Sequence, residues 1–224
     1  MTLIDAGLWC EVDAAVLPGR AALFLDRDGV IVTDTHYLCR VEDMHVIAGA
    51  AAAIARCNAL GVPVVVVTNQ AGIGRGYYGW AEFQAVQGAL IGELKAAGAH
   101  FDGVLACAYH GDGRAPLDVA GHPWRKPNPG MILEAASRMK LDLARSWIVG
   151  DRAHDLAAGL AAGLAGGALL AADDTERAAA ARLAGARFVV ETAPNLADAI
   201  AALIGRGGFR DQGLGDPGLG DQGA

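Results

Sequence analysis

Ala21-Ala22-Leu23-Phe24-Leu25-Asp26-Arg27-Asp28-Gly29-Val30-Ile31 decides how the rest of the chain is read. The apolar run 21–25 predicts a buried strand. It ends on two carboxylates one residue apart, followed by a glycine that breaks the strand. On its own this is equally a strand followed by a common Asp-Gly turn. In an open α/β sheet, however, ligands bind beyond the carboxyl ends of the strands. Asp26 and Asp28 would then stand together at the mouth of a site. Two carboxylates that close repel unless a cation or a shared proton offsets them. A hard cation held by carboxylates and by a phosphate group meets that need, and phosphoryl transfer to an aspartate uses such a centre.

Downstream, residues 62–68 (VPVVVVT) form the clearest strand. A continuous β-branched run predicts burial on both faces, as in a parallel sheet covered by helices. It ends on Thr68, Asn69 and Gln70, then enters Gly72-Ile73-Gly74-Arg75-Gly76. A glycine-rich loop after a strand can offer backbone N–H groups to a phosphate. This one lacks the lysine of a P-loop and reads equally as a flexible turn. Arg75 is the more telling residue, because a forked donor suits an oxyanion.

Further strands are expected at 103–108, 146–149, 164–172 and 187–190. Helices are expected at 48–60, 80–98 and 131–139, then one ending near Gly163, and at 175–183 and 194–204. In the 80–98 helix, Phe83, Val86, Leu90, Ile91 and Leu94 recur at helical spacing and read as core. The segment 30–42 reads as a loop or small hairpin, with His36 a loop or substrate-contact residue. Residues 109–125 make a long loop, and loops this long in compact domains are often functional. Arg125-Lys126-Pro127-Asn128-Pro129-Gly130 puts two cations before a helix start. Gly150-Asp151-Arg152-Ala153-His154-Asp155 places another carboxylate at a strand end. Asp155 there also suits a helix cap or first turn, and His154 reads as a surface residue.

The chain has 224 residues, 53% hydrophobic and 19% charged, a globular composition with room for one sizeable core. Its net charge of −7 argues against a nucleic-acid partner. Cys10, Cys39, Cys57 and Cys107 form no CxxC pair, which fits free thiols in a reducing compartment. No signal peptide or bilayer-spanning run is evident, so a cytoplasmic location and no membrane partner are expected. Three regions follow: an irregular lead-in at 1–20, a folded domain at 21–204 and a Gly-rich disordered tail at 205–224.

Alternating strands and helices predict an α/β fold, a doubly wound parallel sheet. Asp26/Asp28, Thr68/Asn69 and Asp151 lie at its strand ends, with Lys126 before a helix between them. As an ordered set, DxDGV, VVVTN, KP and GDxxxD resemble the four motifs of the haloacid dehalogenase superfamily of phosphohydrolases. LDRDGVI, TNQAGIGRGYY, RKPNPGM and VGDRAHD are similar to the D-glycero-D-manno-heptose-1,7-bisphosphate phosphatase family and its histidinol-phosphate phosphatase relatives. The likeness covers about residues 20–200.

That resemblance implies a Rossmann-like haloacid dehalogenase fold and an Mg²⁺-dependent phosphatase. Asp26 would be the nucleophile and Asp28 the general acid and base. Thr68 and Asn69 would bond the phosphoryl group, and Lys126 would neutralise it. Mg²⁺ would lie on Asp26, the backbone carbonyl of Asp28, and Asp151. Arg75, Arg125 and Arg152 would meet substrate phosphates or hydroxyls. The gaps between motifs leave no room for a large cap domain, so loops 33–42, 71–79 and 109–125 should wall the site. The expected partner is a small phosphorylated sugar bound by a monomer. Histidinol phosphate and nucleic-acid 3′-phosphate ends are the other substrates to weigh. A non-catalytic phosphate-binding protein is the reading outside enzymes.

The chain departs from the family at one place. Many relatives hold the loop before RKP with a structural zinc on a C-x-H and a C-x-C pair. The matching positions here are Cys107, Tyr109, His122 and Trp124. Tyrosine and tryptophan are poor zinc ligands, so structural zinc is not expected. Packing of Tyr109 and Trp124 should hold the loop instead.

Overall fold

The computed structural model describes residues 3–13, 15–170 and 173–209. In chain order its elements are β1 (Leu3–Asp5), β2 (Leu8–Val12), β3 (Leu23–Leu25), α1 (Ala50–Ala59), β4 (Val64–Asn69), α2 (Ala71–Gly74), α3 (Trp80–Ala96) and β5 (Gly103–Cys107). There follow α4 (Gly130–Met139), β6 (Trp147–Gly150), α5 (Ala153–Ala162), β7 (Gly166–Leu169), α6 (Asp174–Ala181), β8 (Val189–Thr192) and α7 (Leu196–Gly205).

The strands form one sheet in the order β1-β2-β5-β4-β3-β6-β7-β8. The six from β5 to β8 run parallel, as expected. From β3 the chain steps outward through β4 and β5, then returns to β6 on the other side of β3. That reversal makes the carboxyl ends of β3, β4 and β6 the place where ligands bind in such sheets.

Helices cover both faces. Leu23, Leu25, Val64 and Val66 point toward a cluster with residues of α1, α3 and α7. Phe24, Val65, Val67 and Ile148 point to the other side, against α4 and α5. Val64 to Val67 are all fully buried, each worth roughly 1.5–3 kcal/mol over exposure. This explains why β4 reads as an unbroken apolar run.

Three readings are corrected. The lead-in expected to be irregular contains β1 and β2, and β2 pairs antiparallel with β5 across five residues. The sheet is therefore mixed. Leu8, Trp9 and Cys10 are buried because β2 is covered on both faces, so no alternation marks it. Ile91 is 41% exposed, since the core stripe of α3 is narrower than its apolar content. Phe209 packs into the core under α7, so the chain beyond Gly205 is not wholly without a fold. The rest of the expected tail, 210–224, and positions 171–172 of the 164–172 strand lie outside the described residues.

Candidate active site

Asp26 follows β3 directly, and its N–H donates to the Val149 carbonyl at 3.0 Å, which ties it to β6. The chain then turns at once: the Ile31 and Val32 N–H groups both donate to the Arg27 carbonyl. Gly29 sits at φ +80°, and a Cβ there would lie 2.6 Å from the Asp151 carboxylate. Only glycine permits both the turn and this approach of the β3 and β6 ends.

Lys126 reaches between two carboxylates. Its Nζ lies 2.8 Å from Asp26 Oδ1 and 2.7 Å from Asp155 Oδ1. All three side chains are almost sealed from water. Burial alone would depress the ammonium, but Asp155 and Asp26 outweigh it and raise Lys126 above the ordinary lysine value. Burial is also the main cause that raises Asp26 to about 7; Lys126 opposes it, and the neighbouring Asp155 and Asp28 add to it. Asp151 is pushed up to about 6, first by burial and then by Asp155.

Of the cap and first-turn readings of Asp155, the second holds: it lies in the first turn of α5, where its Oδ2 accepts from the N–H of Arg152, the cap residue, at 3.1 Å. Its other oxygen holds Lys126. Asn69 and Lys126 are joined reciprocally. The Asn69 amide donates to the Lys126 carbonyl at 3.0 Å and its oxygen accepts the Lys126 N–H at 3.1 Å. This pins the lysine-bearing loop to the end of β4.

Asp26, Asp151 and Asp155 each offer an oxygen, and these lie within 4.8 Å of one another. Among the described residues this is the one such group of metal-ligating side chains. Carboxylate oxygens whose anionic forms are disfavoured without a counter-charge fit a hard divalent cation. Asp155 spends one oxygen on Lys126 and the other on the Arg152 N–H, whereas Asp26 meets Lys126 through Oδ1 alone, so Asp26 and Asp151 are the available carboxylates.

Above them opens a cleft of about 570 Å³. Asp26, Asp28, Thr68, Asn69, Arg125, Asp151 and Arg152 all line it, so seven of the expected site residues are brought together. A carboxylate beside a buried ammonium, a second carboxylate nearby and donors around them can carry out phosphoryl transfer.

The HAD-hydrolase-like family model matches residues 123–199. A D-glycero-β-D-manno-heptose-1,7-bisphosphate 7-phosphatase of Mesorhizobium japonicum is 50% identical over 159 residues, 70% of this chain and 73% of that protein. The chain belongs to the heptose-1,7-bisphosphate 7-phosphatase family. It is a phosphoric monoester hydrolase of the haloacid dehalogenase type. A solved structure from Mesorhizobium loti, described as a HAD-like phosphatase, superposes with a TM-score of 0.80 at 42% identity, covering 94% of this chain and 98% of the other. A D,D-heptose 1,7-bisphosphate phosphatase from B. bronchiseptica, complexed with magnesium and phosphate, gives 0.69 at 28% identity over 83% and 99%.

As expected, among the described residues no large cap covers the site. The walls are Asp34, His36, Tyr37 and Leu38 on one side and Ala71, Gly72 and Tyr78 on another. The 109–125 loop contributes only Arg125, less than its length led us to expect. Arg125 Nη1 donates to the Tyr109 carbonyl at 3.2 Å, which anchors it at the cleft edge.

Arg75, expected at the substrate, does not line the cleft. Its guanidinium donates to the Tyr37 hydroxyl and to Asp112 at 3.2 Å, beside His110. It ties two wall loops together, because Tyr37 and Asp112 engage its two terminal nitrogens. His154, read as a surface residue, lines the cleft over the first turn of α5, 3.3 Å from Asp155. Burial lowers its basicity. Sequence reasoning also passed over Arg27, Gln70 and Tyr78. LDRDGVI, TNQ and GYY carried Arg27, Gln70 and Tyr78 within the family motifs, but no role was read for any of them.

In the 109–125 loop, Tyr109 stacks on His122 with ring centroids 4.1 Å apart. Tyr109 and Trp124 both pack against the α4 side of the core. Cys107 is a buried free thiol there, raised to about 11 chiefly by burial.

Proposed function

We propose that this chain removes the 7-phosphate of D-glycero-D-manno-heptose-1,7-bisphosphate by way of an aspartyl-phosphate on Asp26. The observation that carries the reading is Asp26 itself. It is a strand-end carboxylate at the floor of the cleft, held by Lys126 and flanked by Asp28, Thr68 and Asp151. The relatives' substrate supports the choice of sugar.

Mg²⁺ would be held by the carboxylates of Asp26 and Asp151 and the carbonyl of Asp28, where it would supply positive charge to the phosphoryl oxygens. Asp26 Oδ forms the bond to phosphorus while the bond from phosphorus to the sugar oxygen breaks. Asp28 gives its proton to that departing oxygen. Water then attacks phosphorus, Asp28 takes the water's proton, and the bond to Asp26 breaks, releasing phosphate. Lys126 holds Asp26 in place and offsets charge, and Thr68 and Asn69 border the phosphoryl site. Arg125 and Arg152 are the cations that reach the cleft, and we assign them to the sugar's second phosphate and its hydroxyls. Arg75 acts indirectly, through the wall loops.

The same reading takes residues 21–204 as the phosphatase domain and the protein as a cytoplasmic monomer without nucleic-acid or membrane partners. Among the described residues, no helix is long and apolar enough to cross a membrane.

The test is a substrate panel with Mg²⁺: heptose bisphosphate, histidinol phosphate, a 3′-phosphorylated oligonucleotide and an aryl phosphate. Heptose bisphosphate should show the highest kcat/KM. Preference for histidinol phosphate would move the assignment to that activity. Asp26→Asn should fold normally and lose at least about 10³-fold in kcat. Near-normal turnover would remove Asp26 as nucleophile.

A further inference from the structure

Arg27 is the largest fully buried side chain of the described residues. Its Nε and Nη2 donate to Asp28 Oδ1 at 3.1 and 3.0 Å, and Nη2 also reaches Oδ2 at 2.9 Å. Gln70 Nε2 donates to the same Oδ2 at 3.2 Å and to Thr68 Oγ1 at 2.8 Å. The Gln70 oxygen in turn accepts from the Tyr78 hydroxyl at 2.6 Å and from Arg27 Nη2 at 3.4 Å. Behind the guanidinium lies the Phe83 ring, 5.2 Å from its central carbon, backed by Trp9 and Trp80.

A buried guanidinium is costly unless its charge and donors are matched. An apolar side chain would fill the space between Asp28 and Phe83 without that cost. What an arginine adds is a rigid fork, which fixes the plane of the carboxylate it grips. Asp28 is 24% exposed and faces the cleft, whereas Arg27, Gln70 and Thr68 are 1–2% exposed. Gln70 bridges that carboxylate to Thr68, so the orientation of Asp28 is referred to the phosphoryl-binding end of β4.

We propose that Arg27 and Gln70 are positioning residues that aim the Asp28 carboxyl at the oxygen of the leaving alcohol. This rests on Asp28 being the general acid. In the first step the bond from phosphorus to the leaving oxygen breaks, Asp26 Oδ bonds to phosphorus, and the Asp28 proton goes to that oxygen. A misaimed acid harms departure of an alkoxide. It harms departure of nitrophenolate little, because that anion leaves without a proton.

The experiment compares kcat/KM for benzyl, phenyl and 4-nitrophenyl phosphates, which isolates the steps through phosphoenzyme formation. Arg27→Lys keeps the charge and removes the fork; Gln70→Met keeps the volume and removes the bridge; Asp28→Asn is the reference. Asp28→Asn should lose about 10²-fold on benzyl phosphate and far less on 4-nitrophenyl phosphate. Arg27→Lys and Gln70→Met should each show the same steepened leaving-group dependence, at least about tenfold on benzyl phosphate. If Asp28→Asn steepens it and both other variants lose equally on all three esters, Arg27 and Gln70 are structural and the positioning role is wrong. If Asp28→Asn itself shows no steepening, the acid assignment is wrong and the positioning role falls with it. Folding is checked by circular dichroism and thermal melting. If neither variant folds, the pair is a core ion-pair device and the proposal is overturned.

Discussion

Lys126 and Asp155 are joined by a 2.7 Å ion pair whose side chains are 1% and 0% exposed, with Asp26 on the other side of the same ammonium. Removing the cation would leave two carboxylates buried side by side. Breaking a buried pair costs about 3–5 kcal/mol. Lys126→Met should therefore lose stability of that order in urea unfolding at about pH 8. The loss should shrink at about pH 5, where Asp26, raised to about 7 by burial, carries a proton. A loss of under about 1 kcal/mol at both pH values would refute the electrostatic role.

Binding of Mg²⁺ should depend on pH. Asp26 and Asp151 stand at about 7 and about 6 against an ordinary value of 3.8, with burial the first cause in each. Their folded-state values are raised, so the protonated forms favour the metal-free fold at low pH. That contribution is lost as pH rises through 6 and 7. A cation must displace those protons. Affinity should rise between about pH 5 and pH 8, with proton release greatest near pH 6 to 7. Calorimetry in buffers of different ionisation enthalpy measures both; constant affinity across the range would contradict the reading.

Arg125 and Arg75 should separate in kinetics. Arg125 lines the cleft, whereas Arg75 ties wall loops together. Arg125→Ala should lower kcat/KM for heptose bisphosphate at least about tenfold more than for an aryl phosphate, because an orienting contact is lost. Arg75→Ala should weaken both substrates alike. A sugar-selective loss in Arg75→Ala, with none in Arg125→Ala, would reverse the assignment.

Protein purified without added metal should contain no stoichiometric zinc, because Tyr109 covers His122 and Cys107 lies buried. Cys57 and Cys107, raised by burial to about 12 and about 11, should resist alkylation at about pH 8 until the chain unfolds. Elemental analysis and a thiol-titration time course check these. One zinc per chain, lost in Cys107→Ser, would show a rebuilt metal site.

The chemistry was legible where punctuation exposed it. Asp26, Thr68 and Asp151 each end a buried apolar run, so their placement at one sheet edge follows from the strand pattern. Asp155 was legible only in its local role, because its hold on Lys126 depends on a loop arriving from beyond β5. Arg75 was misplaced and Arg27 passed over for one reason: a guanidinium's partners are set by which loops meet around it. Strand β2 is short and covered on both faces, so its pairing with β5 left no periodic trace. His154 is 41% exposed, as a surface residue is, but nothing in α5 reveals that the surface it lies on is the cleft.

Among the described residues the cleft is bounded by loops, with no domain that shuts over Asp26. An aspartyl-phosphate formed there would meet bulk water as soon as the sugar departs. No enclosed chamber would hold that sugar for a second encounter. An architecture of this kind favours handing the phosphoryl group to the solvent over returning it to another hydroxyl, and so favours one-way dephosphorylation over mutase-like exchange.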